Sequence, residues 1–443
     1  MATIAPPQPG LQARTLSALQ YPNFRLYFIG QLVSLSGAWM QIVAQGWLVF
    51  NLTHSELWLG VVACAAGLPT LVLSPFAGVV VDRFSRRDIL LLSQTMQMIL
   101  AFVLAALTFA GVVQVWHIVT LAFMLGVTNA VDAPSRQTII ADLVGKDHLT
   151  SGIALNSIMF NSSRVIGPAL AGIVLTQVGP AWCFLLNGLS FLAVIAMLLI
   201  MRVDQIVKRA GDFDPLARLK EGLRFSRRHP TIAPLLLLAV IASLFTINIQ
   251  TLLPAFADVV LRSPKVAYAT MSTAVGAGAV VAAVLMAILG RYFGRGRVVF
   301  AMTMFVPLVG MCVSQTTNVN VAAFLMGLFG FGIILQFVTV NTLIQSEVPD
   351  AFRGRVMSLY TLTWFGMAPF GALALGFVAS GIGYQGEMIL HLTPLGLPTL
   401  EGASWGAGIQ GIGTPTAMTL YALLGGILSV TILLRSPRVR QLR

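Results

Sequence analysis

Charge is what this sequence has least of. Asp, Glu, Lys and Arg make up only 9% of its 443 residues, where a soluble domain carries roughly 25%. A chain so poor in charge cannot coat a water-facing surface of its own size. Its mean hydropathy of +0.86 makes lipid its main solvent, which overrides the three or so soluble domains that length alone suggests. Acids are scarcer still, 15 against 27 Lys and Arg. None falls in the middle of an apolar run; Asp82, Asp132 and Asp258 stand at the ends of runs.

Other absences narrow the function. Cys64, Cys183 and Cys312 lie in three separate apolar runs, so neither a disulfide framework nor a metal spacing can be read from them. They read as small core hydrophobes. His54, His117, His148, His229 and His391 fall in loops or at run edges, without metal spacing and without a Ser and an acid to complete a hydrolase set. No cofactor, no metal and no enzyme activity are expected. No G-x-x-x-x-G-K-[ST] loop is present, which argues against ATP drive. The net charge of +12 does not imply a nucleic-acid partner, because the cations sit in short alternating gaps rather than on one exposed face.

Long apolar runs are what the sequence has in abundance. A span needs about 20 mostly apolar residues to cross a hydrocarbon core of roughly 30 Å. Twelve segments qualify: 24–50, 57–81, 89–111, 116–133, 150–177, 181–202, 232–257, 267–290, 298–315, 319–345, 356–381 and 415–435. The first is too long, and its upstream stretch too poor in basic residues, for a cleaved signal peptide. With the N-terminus inside, 24 of the 27 Lys and Arg lie on the cytoplasmic side, as the positive-inside rule requires. Both termini are therefore expected in the cytoplasm of a multi-pass cell-membrane protein.

The longest charged gap divides the chain into residues 1–202, a linker at 203–230, and residues 231–443. Asp214-Pro215 reads as a helix start. Leu216, Leu219 and Leu223 then share one face among Arg218, Lys220, Arg224, Arg227 and Arg228, the pattern of a short amphipathic helix. It either lies on the anionic inner leaflet or is a solvated linker. The two halves resemble each other faintly at an offset of about 204–208 residues, in the manner of parallel transporter repeats.

Between spans two and three, Gly78-Val-Val-Val-Asp82-Arg83-Phe-Ser-Arg86-Arg87 has the form G-x-x-x-D-R-x-x-R-R. It resembles the signature loop of the major facilitator superfamily, with Ser85 in place of the usual glycine. Span five carries Ser163-Arg164-Val-Ile-Gly167-Pro168-Ala-Leu-Ala-Gly172, which is similar to the superfamily's proton-coupled exporter element, with Ser163 and Ala171 replacing two glycines. Further stretches from Asp132 through Arg136 to Pro168, and from Val348 through Arg353-Gly354-Arg355 to Pro369, resemble the enterobactin-exporter-like branch. Only 382–414 departs, as a longer Gly-rich external loop. The resemblance implies an all-α fold of two six-helix bundles that exports siderophores or other small amphiphiles against a proton gradient. It also implies a cytoplasmic gate at Gly78, Asp82, Arg83, Arg86, Arg87, Asp132 and Arg136. Asp82 is expected against the start of span eleven and Arg86 against Asp132. Many drug exporters of the superfamily carry an Arg four residues before a Gly in span four; here Ala122 precedes Gly126, so their proton relay cannot be copied across.

Polar side chains within the spans are the candidate cavity residues, because charge at mid-bilayer is costly and usually functional. Arg164 is the one cation near the middle of a span, either bracing carbonyls or lining the cavity. Gln31, Gln41, Gln45, Asn129, Asn156, Asn161, Asn248, Gln336 and Asn341 are uncharged candidates, although interhelical hydrogen bonds explain many such residues. The leading reading is a monomeric secondary transporter with a small-molecule substrate, a coupling proton and a lipid surround. A facilitator-type importer and a transport-dead membrane sensor or scaffold stay open.

Overall fold

The computed structural model describes residues 17–145, 147–201, 215–289, 294–382, 409–410, 413–440 and 442. Within helix α2 the side chains of 78–83 lie outside the described set, so the expected contact of Asp82 with span eleven, and any contact of Arg83, fall there too. The fold is all-helical with twelve helices or helix pairs long and apolar enough to cross a membrane. The one sheet among the described residues is a two-residue antiparallel pairing of Gly381–Ile382 with Ile409–Gln410.

Six spans come first: α1 (Pro22–Thr53), α2 (Glu56–Arg83), α3 (Arg86–Phe109), α4 (Val115–Val144), α5 (Leu149–Gln177) and α6 (Pro180–Ile200). Prolines open α1 and α6, where a missing N–H is harmless, and Ser85 caps α3 by accepting from the Asp88 N–H. Helix α4 runs straight through Pro134. Asp132, expected at the end of a span over 116–133, is therefore well inside a 30-residue helix and fully buried. Asp132 and Arg136 pair with each other, so neither charge forces the helix out of the apolar region.

A linker helix α7 (Pro215–Arg228) follows. Phe225 stacks on Phe352 at 4.5 Å, Glu221 pairs with Arg355 at 3.1 Å, and Ser226 is buried. One face of α7 is thus docked on protein, while Lys220, Arg224, Arg227 and Arg228 remain exposed.

The seventh span is broken, where one continuous helix over 232–257 was expected. It consists of α8 (Ile232–Ile241), a π turn over Ala242–Thr246, a 3-10 stretch over Ile247–Leu252 and α9 (Leu253–Val259). Such a change of helical pitch frees carbonyls that lipid cannot satisfy. The Asn248 amide donates to two of them, Ser243 O at 2.6 Å and Leu244 O at 3.1 Å. Ser243 in turn donates to Trp364 O at 2.5 Å, tying the break to span eleven.

The remaining spans are α10 (Val266–Leu289), α11 (Arg295–Gln315), α12 (Val319–Glu347), α13 (Asp350–Gly366) with α14 (Ala368–Ser380), and α15 (Thr414–Arg435), followed by α16 (Pro437–Arg440). The two six-span bundles meet chiefly where α2 packs on α14 and α5 packs on α10. Both seams rest on glycine. A Cβ on Gly60 would lie 2.5 Å from Ala372 O, and one on Gly376 would lie 2.5 Å from Glu56 O. A Cβ on Gly276 would collide with Arg164 O. The α2–α14 seam closes the end of the molecule opposite the basic loops, where Thr414 also donates to Glu56 at 2.6 Å.

Candidate functional site

The described arginines of the loop between α2 and α3 act within one bundle. Arg86 Nη1 donates to both oxygens of Asp142 at 2.6 Å, not to Asp132 as expected. Asp132 lies ten residues earlier on the same helix, about 15 Å deeper at 1.5 Å per residue, beyond reach from the first turn of α3. Arg87 donates to Leu198 O at 2.6 Å and Leu199 O at 2.9 Å. It satisfies the orphan carbonyls at the end of α6, with a cation at the negative end of the helix dipole. Arg87→Ala should lower thermal stability by about 2 kcal/mol, since hydrogen bonds from a charged donor contribute roughly 1.5–3 kcal/mol. The check is a melting curve in detergent; an unchanged Tm would remove this role.

Asp132 sits in a polar cluster built from three helices. It accepts from Ser93 Oγ at 2.7 Å and Gln94 Nε2 at 2.8 Å, both from α3, and pairs with Arg136 one turn along α4. Arg136 Nη1 reaches Gln31 Oε1 of α1 at 3.4 Å. Tyr27, one turn before Gln31 on α1, is fully buried and its hydroxyl has no hydrogen-bond partner among the described residues. Asp132 is 0% exposed and the Arg136 side chain 21%, so the acid is inside and its partner borders open space.

Arg164 lies mid-way along α5, its guanidinium 5.3 Å from the Trp39 ring of α1. Trp39 meets Phe160 edge to face at 6.0 Å. Gly167 lets α1 approach at Ser36, Trp39 and Met40, Pro168 is buried beside it, and Gly172 meets Ala269 of α10. The exporter-like element of span five thus brings Arg164 to the junction of α1, α5 and α10. No carboxylate pairs with Arg164 among the described residues.

The uncharged candidates divide. Gln41 accepts from Asn187 of α6 at 2.7 Å and Gln336 donates to Thr303 of α11 at 3.1 Å, each pair buried inside its own bundle. Gln31 belongs to the Asp132 cluster and Asn248 to the helix break. Gln31, Gln41 and Gln336 are held by packing, while Asn248 also borders a recess. Gln45, Asn129, Asn156, Asn161 and Asn341 are partly exposed; Asn161 bonds Ser157 O at 2.8 Å and Asn341 accepts from Gln345 at 2.5 Å. A recess of about 260 Å³ lies at the α2–α14 seam, lined by Ala63, Ala66, Gly67, Asn248, Ala368, Pro369 and Ala372. Sequence reasoning missed Asp142, Trp39 and the Ser93–Gln94 pair. Asp142 stands in a stretch of mixed charge with Arg136, Lys146 and Asp147, so nothing local identifies its partner.

Residues 13–397 match the family described as transmembrane secretion effector. The chain is 25% identical to the staphyloferrin A transporter of Staphylococcus aureus, over 81% of this chain and 90% of that one. It is 23% identical to the multidrug efflux pump Tap of Mycolicibacterium fortuitum, over 84% and 92%. It is also 23% identical to the enterobactin exporter EntS of Salmonella choleraesuis, over 80% and 85%. Among solved structures, the nucleoside transporter NupG (a D323A mutant) superposes with a TM-score of 0.70 at 13% identity, covering 93% of this chain and 99% of that one. A bacterial homologue of ferroportin in an inward-facing state gives 0.62 at 16% identity, over 96% and 99%.

Proposed function

The chain belongs to the transmembrane secretion effector family of the major facilitator superfamily, and we propose that it exports a small amphiphilic or anionic organic solute. The siderophore and drug transporters among its relatives support that class of cargo. Export runs by alternating access, with the halves 1–202 and 231–443 rocking about the glycine seams and 203–230 joining them. The basic end faces the cytoplasm with both termini, and a proton gradient drives the cycle in a monomer.

The observation that carries the substrate class is Arg164. It is a cation at mid-depth without a carboxylate partner among the described residues, whereas the buried Asp132 is balanced by Arg136. Attraction is least screened where the dielectric is low. The net field at the junction of α1, α5 and α10 therefore favours anionic or neutral cargo over cations.

The test is transport in inverted vesicles under an imposed inward-acid pH gradient, screening catecholate siderophores, anionic dyes and organic cations. Gradient-dependent accumulation of anions is the expected result. Accumulation of the same solutes only in right-side-out vesicles, independent of the gradient, would establish a facilitator-type importer instead.

A further inference from the structure

Helix α7 has two sides with different surroundings. Toward the protein it turns Leu219, Gly222, Phe225 and Ser226. Leu219 packs on the core, a Cβ on Gly222 would lie 3.0 Å from Arg355 O, and Phe225 stacks on Phe352. The other side carries Lys220, Leu223, Arg224 and Arg227, spaced i, i+3, i+4, i+7 along the helix, with Leu223 at its edge. All four are exposed, Leu223 by 39%, and Arg228 is exposed beside them. No acid balances these cations. Glu221, the one acid of α7, is taken by Arg355 at 3.1 Å. Among the described residues no carboxylate forms an ion pair with Lys220, Arg224, Arg227 or Arg228. Like charges at such spacings repel one another unless an anion lies between them. The helix also stands beside the membrane: the span that opens with α8 begins at Ile232, four residues after Arg228. It touches both α13 and α2, which belong to opposite bundles.

We infer that the exposed side of α7 is a binding site for anionic phospholipid. Lys220, Arg224, Arg227 and Arg228 hold the headgroup phosphates, and Leu223 meets the upper part of the acyl chains. The inference goes beyond the export reading and depends on neither cargo nor direction. Phosphate suits this set because a guanidinium presents a planar fork of donors to paired oxygens. Basic clusters beside a membrane span draw anionic lipid, each cation strengthening the attraction about 5-fold. Long Lys and Arg stems let the charges reach the headgroups while the helix backbone stays outside the apolar layer. The docked side matters as well. A free linker would have to be ordered before it could bind, whereas α7 is already held against Phe352 and Arg355, so little freedom is lost when lipid arrives. A soluble phosphate compound offers the same oxygens. It has no acyl chain for Leu223, and no surface that presents several headgroups at once.

The full chain, purified in a neutral detergent, is titrated into phosphatidylglycerol that carries a fluorophore on its acyl chain, and binding is read as fluorescence anisotropy. Unlabelled phosphatidylglycerol, phosphatidylcholine and glycerol phosphate are the competitors. Phosphatidylglycerol should displace the probe, and the other two should not do so at equal concentration. Arg224→Gln or Arg227→Gln alone should weaken binding about 5-fold, the contribution of one cation at an anionic surface. Changing Lys220, Arg224, Arg227 and Arg228 together to Gln should bring phosphatidylglycerol down to the level of phosphatidylcholine. A comparison variant changes Arg297, Arg435 and Arg438 to Gln, exposed cations at the same end of the molecule but outside α7, and should bind as the wild type does. Unchanged binding in the four-residue variant would overturn the site. So would an equal loss in the comparison variant, which would mean diffuse attraction to the whole basic end. Equal displacement by glycerol phosphate would replace the lipid with a soluble anion and overturn the assignment. If the four-residue variant fails to fold, the two single variants, each at an exposed position, decide.

Discussion

Arg164→Ala should abolish export of an anionic substrate while leaving the protein folded and inserted. Truncating one member of a desolvated charge pair costs about 2–5 kcal/mol, so transport of a catecholate should fall by about 30-fold or more. The fold should tolerate the change because Arg164 has no carboxylate partner among the described residues. What it loses is the contact with Trp39 at 5.3 Å, and a cation over an aromatic ring contributes only ~0.5–1 kcal/mol where water still reaches. Arg164→Lys should rescue in part, since an ammonium replaces the charge but not the planar guanidinium fork. The measurement is initial export rate in inverted vesicles, normalised to inserted protein. Preferred transport of organic cations, undiminished in Arg164→Ala, would sink the anionic-substrate reading.

Gly60→Val should trap the transporter with the end opposite its basic loops held open. The added Cβ would lie 2.5 Å from Ala372 O and 3.0 Å from Leu373 Cα, both backbone atoms that cannot step aside. Overpacking of this kind costs typically 1–3 kcal/mol. Here the molecule can escape the whole penalty by separating α2 from α14, because that seam must part in an alternating-access cycle anyway. The mutation therefore acts on the conformational equilibrium more than on folding. Transport should drop at least ~10-fold, as expected when a shift of that size strands one state. A cysteine at Ala63, in the recess just beneath the seam, should at the same time become more reactive toward a membrane-impermeant thiol reagent. Normal transport with unchanged labelling would show that α2 and α14 need not come this close.

The span pattern was legible because it depends on composition over some 20 residues, a signal that no single contact can overturn. All twelve segments have helices at their positions. The misreadings cluster where a tertiary contact outweighs local character. Asp132, Pro134 and Arg136 together look like a helix end, yet the two charges cancel each other and the helix continues to Val144. The break in the seventh span left no mark that pattern reading could find. It depends on one amide, Asn248, reaching carbonyls four and five residues back, and an Asn in an apolar run is equally at home between helices. For the site, Arg164 was visible as the lone cation of a span, whereas the Asp132–Arg136 ion pair exists only because the helix continues through Pro134. The partner of Arg86 was not legible, because Asp132 and Asp142 are equally acidic neighbours in sequence and only depth separates them.

The glycine seams make the surrounding lipid a participant in the cycle. In water, two apolar surfaces that part would expose themselves to solvent and be pulled back together. Here α2 and α14 part into a water-filled mouth, but with glycine at the contact the apolar side-chain surface that becomes wet is small, and so is the restoring force. The grip that remains is backbone packed on backbone at Gly60 and Gly376, with Glu56 and Thr414 adding one hydrogen bond at the rim. An equilibrium held by so little is set by how tightly acyl chains press on the bundle. A thicker or more laterally compressed membrane acts on it as an effector does, with every lipid of the annulus as a weak ligand. Turnover should therefore track membrane composition even when substrate and gradient are fixed.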